Sequence, residues 1–427
     1  MFARYVMRYI DVKKIFAHRI ARNAGAVTII QLVNYVTPLL VLVHLTKVLG
    51  VELYGVVAFS MGILQLSLTL MDFGFSLSAT QKISLWRDRK RYVGRLIGAV
   101  FVIKFALFLL VSAIVITYAF CTDKYSAYYL VFVLSLLPVF GQTFQPVWFF
   151  SGIERIRFVT IFMVTAKLLY VGFIFLFVSD GSDYLLVPLS NGAAQILAML
   201  LGVLLIYHVG YYIEVPRIRD VRYAFQITAG FFVSCLSVTA YMNSGIVLLG
   251  LFATPATVAA YSMAEQIYKA MQAVFMPISQ AVYPYMVKER NVALIVRLTV
   301  GCVCLAVLGA ILGYALFPLL VPMIFGAGWG AAVRVLHVFL VAIIVHVAAS
   351  MSGYPLAAAL GRLHVAKRSA VFGSLVYMVC AVALVVAGQG NAVAFAVLMV
   401  VAELYVLLHR ALVLWPQAFK LRKLSVA

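Results

Sequence analysis

Apolar runs of about 20 residues, separated by short polar segments, recur along the whole chain. A helix that crosses a bilayer needs about 20 mostly apolar residues. The pattern therefore predicts twelve membrane-spanning helices and leaves no room for a soluble catalytic domain. The predicted spans are 24–45, 53–77, 93–119, 126–150, 159–178, 185–207, 225–252, 256–283, 294–321, 333–358, 369–389 and 392–414.

The composition supports the same class of protein. The 427 residues are 65% hydrophobic and only 11% charged, with a mean hydropathy of +1.09. Soluble domains are about half apolar and about a quarter charged. Such a chain lacks the polar surface to cover itself in water, so the composition predicts an integral all-α membrane protein.

Catalytic and metal-binding motifs are not supported by the sequence. Asp72-Phe73-Gly74 matches the magnesium-binding triplet of protein kinases, but the chain lacks the Gly-rich loop, the strand lysine and the catalytic loop that a kinase needs. The five cysteines lie mostly inside apolar runs, without the spacing of metal ligands or of a disulfide framework. His337 and His346 are nine residues apart and fall on different helix faces, which favours core histidines. We expect no enzyme activity, no metal and no cofactor.

The strongly basic balance follows the predicted spans. The formal net charge is +20, which could indicate binding to nucleic acid. With both termini in the cytoplasm, however, 27 of the 33 Lys and Arg residues fall on the cytoplasmic side, including the C-terminal group from Arg410 onward. Only Lys47, Lys124 and Arg334 fall on the other side. This asymmetry is typical of membrane proteins and requires no nucleic acid.

The two halves of the chain share short motifs. AFSM at Ala58–Met61 recurs as AYSM at Ala260–Met263, and PVWFFSG at Pro146–Gly152 has the spacing of PLAAALG at Pro355–Gly361. Both matches indicate an internal duplication, with two pseudo-symmetric six-helix lobes. The predicted segments are a basic interfacial segment (1–23), an N-lobe (24–207), a cytoplasmic inter-lobe linker (208–224), a C-lobe (225–414) and a basic cytoplasmic tail (415–427).

Several charged residues lie within or at the ends of predicted spans. On insertion scales a charge at mid-membrane costs about 2.5–3.5 kcal/mol when it faces lipid, so such residues usually face a cavity or a partner. Three lysines against few carboxylates favour an anionic substrate over the organic cations of drug exporters. The candidate substrate-binding cations are Lys104, Lys167 and Lys269, and the candidates for ion coupling or gating are Asp72, Glu265 and Glu403.

Each candidate also has a structural interpretation. A lysine such as Lys167 can extend its ammonium to the headgroups. Glu265 and Lys269 are four residues apart and can neutralise each other as an ion pair. Glu403 can hydrogen-bond a neighbouring helix, and Asp72 can bond its own helix end or pair with a nearby basic residue.

Three stretches of the first 161 residues resemble the Wzx-type O-antigen flippases, in the polysaccharide-transporter branch of the multidrug/oligosaccharidyl-lipid/polysaccharide (MOP) exporter superfamily. These stretches are NAGAVTIIQLVNYVTPLLVLVHLTKVLGVELYGVVAFSMGILQ (Asn23–Gln65), DFGFSLSATQKIS (Asp72–Ser84) and FQPVWFFSGIERIRFVTI (Phe144–Ile161). The chain departs from that family at Gln81-Lys82, where Arg-Glu is common, and at Ser151, where Gln is common.

The resemblance implies a MATE/MOP-like fold with a V-shaped central cavity and alternating access. It implies transfer of undecaprenyl-diphosphate-linked oligosaccharide from the cytoplasmic to the periplasmic leaflet of the bacterial inner membrane, coupled to an ion gradient. Gln31 and Asn34 become candidates for polar residues lining the cavity. Partners would be the lipid-linked sugar, membrane lipids and other polysaccharide-assembly membrane proteins. The alternatives are a small-molecule or drug antiporter of the same superfamily and a membrane-embedded polysaccharide polymerase or ligase.

Overall fold

The computed structural model is mostly helical. It describes the backbone of residues 2–424 and the side chains of residues 30–230, 232 and 244–417. Short 3₁₀ helices occupy Asp123–Tyr128, Gly181–Leu185 and Ala327–Trp329. The α-helices are α1 (Phe2–Asp72), α2 (Phe75–Trp86), α3 (Lys90–Cys121), α4 (Tyr129–Leu134), α5 (Leu136–Thr143), α6 (Val147–Gly152), α7 (Ile156–Phe177), α8 (Leu186–His208), α9 (Ile218–Phe252), α10 (Pro255–Glu289), α11 (Val292–Phe325), α12 (Gly330–Ser352), α13 (Tyr354–Ala359), α14 (Leu363–Val386) and α15 (Ala392–Leu424).

The helix lengths are consistent with twelve spans. Nine segments of the described residues are long and apolar enough to cross a membrane. One of them, Ile30–Trp86, has 57 residues and would measure about 85 Å as a straight helix at about 1.5 Å per residue, which is about twice the thickness of a bilayer. Gly50 breaks this segment with φ 70° and ψ −177°, so the segment contains two of the predicted spans. Helices α9 and α10 cover the two further predicted spans.

Large apolar side chains cover much of the outer surface. Leu176, Met323, Val386 and Leu412 each expose 73–81% of their area, and many other Leu, Val and Phe side chains are exposed with them. Monomeric soluble proteins rarely expose apolar patches beyond a few hundred Å². The chain is therefore a multi-span membrane protein with an all-α fold, as predicted.

The chain forms two compact units, and the long helix α1 contributes to both. Unit 1 contains residues 1–40, 67–179 and 185–235, and unit 2 contains residues 41–66, 180–184 and 236–427. Within unit 1, aromatic residues around Phe149, Phe150 and Phe162 form a closely packed core. The lobe boundaries given by the sequence, 24–207 and 225–414, remain a prediction.

The Asp-Phe-Gly triplet forms a turn between two helices of unit 1. Helix α1 ends at Asp72, five residues before the predicted end of the second span, because Phe73 and Gly74 both adopt positive φ, 48° and 88°. A left-handed phenylalanine costs about 1–2 kcal/mol relative to a helical one. The Phe73 ring is buried and stacks on Phe232 and Phe225, with centroids 4.5 and 5.1 Å away, which offsets that cost.

Two other turns have the same backbone pattern in different units. In unit 1, α6 leads into α7 through Glu154 with φ 59°, and the Arg155 amide donates to the Phe150 carbonyl (2.9 Å). In unit 2, α13 leads into α14 through Gly361 with φ 68°, and the Arg362 amide donates to the carbonyl five residues earlier (2.7 Å). Glu154 and Gly361 are 207 positions apart, whereas Pro146 and Pro355 of the sequence motifs are 209 positions apart. The alignment of these repeats therefore shifts by two residues.

Candidate functional site

The charged residues predicted from the sequence fall into two groups, one in each unit. The group in unit 1 contains Lys104, Lys167 and Asp72, and the group in unit 2 contains Glu265, Lys269 and Glu403.

Lys104 of α3 is buried and anchors a break in the neighbouring helices. It is 4% exposed, and its Nζ donates to the backbone carbonyl of Thr143 (2.9 Å). Thr143 ends α5, and the amide of Val147 bonds Gln145 and not the Thr143 carbonyl. Pro146, just before α6, has no amide hydrogen to donate. Lys104 therefore satisfies a carbonyl that the broken helix leaves without its usual partner.

Asp72 lies at the end of α1, close enough to Lys104 for a favourable charge interaction. One of its oxygens, Oδ1, accepts a hydrogen bond from the hydroxyl of Ser76 in α2 (2.6 Å). The carboxylate thus connects the two helices on either side of the Phe73-Gly74 turn. This bond runs to the following helix and not to the end of α1 itself, and a gating role of Asp72 remains a prediction.

Lys167 in α7 is in a different environment. Its side chain is half-buried, and it forms no hydrogen bond or ion pair with any residue that the structure describes. Among the three candidate lysines it is the one whose ammonium has no partner in the part of the chain that the structure describes. Gln31 and Asn34, also in unit 1, are half-buried on α1, three residues apart.

Glu265 and Lys269 of α10 form the predicted ion pair in unit 2. Lys269 Nζ lies 2.7 Å from Glu265 Oε2, and the side chains are 43% and 6% exposed. The spacing of four residues places the two groups on one face of the helix. The carboxylate is consequently paired with a lysine of its own helix.

Glu403 of α15 is held by a histidine on another helix. Its Oε1 lies 2.9 Å from Nδ1 of His346 on α12, and the side chains are 11% and 25% exposed. The ring of Tyr268 stacks on Phe339 and forms a T-shaped contact with the ring of His346. The sequence identified both Glu403 and His346, but not that they are partners, because they are 57 positions apart. The partner of Glu403 is thus a histidine on another helix, whereas the partner of Glu265 is a lysine on the same helix.

Arg410 is a buried cation that the sequence pattern assigns to the basic C-terminal group. It is 7% exposed and donates to the Ala349 carbonyl (2.6 Å), the Ser369 hydroxyl (2.8 Å) and the Ala366 carbonyl (3.3 Å). These bonds join α15 to α12 and α14. The sequence does not predict this contact, because two of the three acceptors are backbone carbonyls, which do not depend on the type of side chain.

The segment after α8 crosses α3 at two glycines. A side chain at Gly94 would collide with the Tyr212 carbonyl, and one at Gly98 with the carbonyl of Glu214. The Glu214 carboxylate accepts a hydrogen bond from Arg95 Nε at 3.3 Å. Burial raises the pKa of Tyr211, whose neutral hydroxyl donates to a backbone carbonyl in the segment before α3. The predicted inter-lobe linker is therefore packed against unit 1.

Metal binding has no support among the described residues. No group of three or more His, Cys, Asp or Glu side chains there is arranged to hold a metal ion.

Comparisons with solved structures define the class of fold. A MATE family transporter of the MOP superfamily in an inward-facing conformation matches with a TM-score of 0.66 and 15% identity, covering 91% of this chain and 96% of that one. The lipid II flippase MurJ in its inward closed conformation matches with a TM-score of 0.64 and 12% identity, over 89% and 86% of the two chains. The chain is therefore an all-α membrane protein with the MOP-superfamily fold.

The family follows from sequence comparison. The model of the family described as "Polysaccharide biosynthesis protein" matches residues 20–289, more than half of the chain, and the chain belongs to this family. Two relatives share the name "Putative O-antigen transporter". The Escherichia coli (strain K12) protein is 25% identical over 74% of this chain and 78% of its own length. The Shigella dysenteriae protein is 22% identical over 82% and 89%.

Proposed function

We propose that this protein moves undecaprenyl-diphosphate-linked oligosaccharide units, the repeat units of O-antigen or a related polysaccharide, from the cytoplasmic to the periplasmic leaflet of the bacterial inner membrane. The observation that carries the proposal is the family match over residues 20–289. The names of the two relatives and the MOP fold support transport. Both termini lie in the cytoplasm in this proposal.

The intramembrane cations supply the charge complement to a diphosphate. Lys167 is the first candidate, because its ammonium has no partner among the described residues and could bind a phosphate oxygen directly. Lys269 is partly exposed but already neutralised, and Lys104 is buried against a backbone carbonyl. We therefore expect Lys167 to contribute most to substrate binding.

Ion coupling is placed at the Glu403–His346 pair. Of the three candidate carboxylates, Glu265 is paired with a lysine and Asp72 accepts a hydrogen bond from a serine at a helix junction. Glu403 alone of these is partnered by a histidine, the side-chain type that most often serves in proton transfer. Proton uptake and release at this pair could bias alternating access, with the gradient supplying the direction of transport.

A small-molecule antiporter is the second candidate function. The fold favours it as strongly as a flippase, since the solved relatives include MATE multidrug transporters. The family match and the unpartnered Lys167 favour the anionic lipid-linked sugar.

Complementation of a flippase-deficient strain tests the proposal. The wild-type gene should restore surface polysaccharide when expressed with its own sugar-assembly genes, and Lys167→Ala should reduce it more than Lys104→Met or Lys269→Ala. Membrane levels of each variant are measured in parallel. Failure of the wild-type protein, with normal membrane levels and intact sugar synthesis, would reject the flippase assignment.

A further inference from the structure

A cavity of about 600 Å³ lies within unit 2, where three of its helices begin. Helices α10, α12 and α15 start at Pro255, Gly330 and Ala392, and the cavity is lined by residues of their first turns. Most of the lining side chains are small, so the volume is open space. The polar lining residues are Thr257, Arg334 and Asn391.

Arg334 is a cation without a partner among the residues that the structure describes. Its exposed guanidinium forms no hydrogen bond or ion pair with any described residue, and no carboxylate is among the residues that line the cavity in the described part of unit 2. Arg334 is also one of only three Lys and Arg residues that the sequence pattern assigns to the side opposite the cytoplasm. The charge therefore faces open volume, in a region where the positive-inside pattern gives no reason for it.

Two further groups can donate hydrogen bonds into this space. The side-chain oxygen of Asn391 accepts from the Ala394 amide (2.8 Å), while its NH₂ group has no partner among the described residues. Helix α12 starts at Trp329-Gly330 without a side-chain cap, so the amides of its first turn lack that acceptor. The start of each helix carries about half a positive charge, and all three starts border the cavity.

We propose that this cavity, lined by Arg334, Asn391 and the starts of α10, α12 and α15, is a binding site for a phosphate or diphosphate group. An arginine presents paired donors that match phosphate oxygens, and the surrounding amides supply further donors. Small-molecule sites measure about 300–1,000 Å³, so the volume also accommodates a sugar or glycerol attached to the phosphate. Neither Glu403 nor Lys167 lines this site.

The bound phosphate has two chemical sources. It could belong to a phospholipid headgroup, or to a soluble or sugar-linked phosphate that reaches the site from water. Only the location of the site on the periplasmic side of the membrane rests on the proposed function. Phosphate binding itself requires no transport, so its test is independent of the flippase assignment.

Binding of radiolabelled pyrophosphate to the full-length protein in phosphatidylcholine nanodiscs tests the site. We expect saturable binding to the wild type. Arg334→Gln should weaken it at least about tenfold, since it removes a charge-assisted contact. Asn391→Asp should do the same, because it keeps the helix cap but places a negative charge in the cavity. Lys124→Gln removes a charge from the same predicted side, outside the cavity, and should bind as the wild type does.

A second set of nanodiscs containing phosphatidylglycerol distinguishes the sources. Weaker pyrophosphate binding there identifies a lipid headgroup as the competing occupant, and unchanged binding identifies a soluble or sugar-linked phosphate. Either result supports the site. Absence of saturable binding to folded wild-type protein, or equal binding by Arg334→Gln and Asn391→Asp, would overturn it.

Discussion

In unit 1 the chain passes from α6 into α7 through a left-handed Glu154, and in unit 2 it passes from α13 into α14 through a left-handed Gly361. A helix break precedes each turn, and a buried cation donates to a carbonyl in the last turn before that break. In unit 1 the cation is Lys104, bound to Thr143; in unit 2 it is Arg410, bound to Ala349.

The two cations come from positions that are not equivalent. Lys104 belongs to α3, the third predicted span, whereas Arg410 belongs to α15, the twelfth. The two units therefore share the geometry of the backbone turn. They differ in the side chain that donates to the carbonyl before the helix break. A carbonyl that a helix break leaves without its usual partner needs a hydrogen-bond donor in any sequence. A nearby cation can supply that donor from either position.

The first way to test this comparison is to remove the cation of unit 2. Arg410→Met should destabilise the folded protein by about 2–4 kcal/mol, because it leaves buried carbonyls of α12 and α14 without their charged donor. Detergent-solubilised protein unfolded by heat or SDS gives the measurement. Arg368→Met, an exposed arginine of α14, is the control and should change stability by no more than about 0.5 kcal/mol. Equal stability of both variants would show that Arg410 does not anchor the break.

The turn in unit 2 should be sensitive to a side chain. Gly361→Ala should cost about 1 kcal/mol, because alanine is strained at φ 68°. Gly309→Ala, in the middle of α11 with nothing near the added methyl group, should instead stabilise by up to about 1 kcal/mol. Opposite signs in the same unfolding assay support the assigned geometry, and a stabilising Gly361→Ala would contradict it.

The cation of unit 1 should matter less for stability. Lys104→Met removes a single hydrogen bond but also removes a buried charge, so we expect a change within about 1 kcal/mol of either sign. A loss as large as that of Arg410→Met would mean that the two anchors are equivalent in strength. The same unfolding assay, with both variants in parallel, decides this.

The smallest effect is expected at the turn of unit 1. Glu154→Gly relieves the left-handed strain but adds chain entropy to the unfolded state and removes an exposed pair with Arg87 at 3.4 Å. We expect a net change within about 0.5 kcal/mol. A clear stabilisation would indicate that Glu154 is retained at this turn for a reason other than folding.

The sequence predicted features that depend on local spacing. Apolar run length identified the helices, and the spacing of four residues identified the Glu265–Lys269 pair before the structure placed the two groups 2.7 Å apart. The repeated Pro and Gly motifs located the matched turns, although the alignment differs by two residues. The pattern predicted a short loop between residues 45 and 53, where the structure has a break at Gly50. A single glycine with positive φ hardly changes an apolar pattern, so the sequence did not identify the position of the break.

Contacts between distant helices could not be predicted. His346 and Glu403 meet across α12 and α15, and a single sequence carries no information on which faces of two apolar helices pack together. Arg410 was grouped with the basic C-terminal residues, since charge counting uses position along the chain and not burial. The cavity at Arg334 is formed by three separate helix starts, none of them distinctive alone.

Transfer of a lipid-linked sugar across the bilayer can be followed in vesicles. Purified protein is reconstituted with undecaprenyl-diphosphate-linked oligosaccharide, and the sugar that becomes accessible to an external glycosidase or lectin is followed over time. We expect faster appearance than in protein-free vesicles, a further increase with an imposed proton gradient, and loss of that increase in Glu403→Gln. Rates equal to those of protein-free vesicles, with folded and correctly inserted wild-type protein, would contradict the proposed transfer.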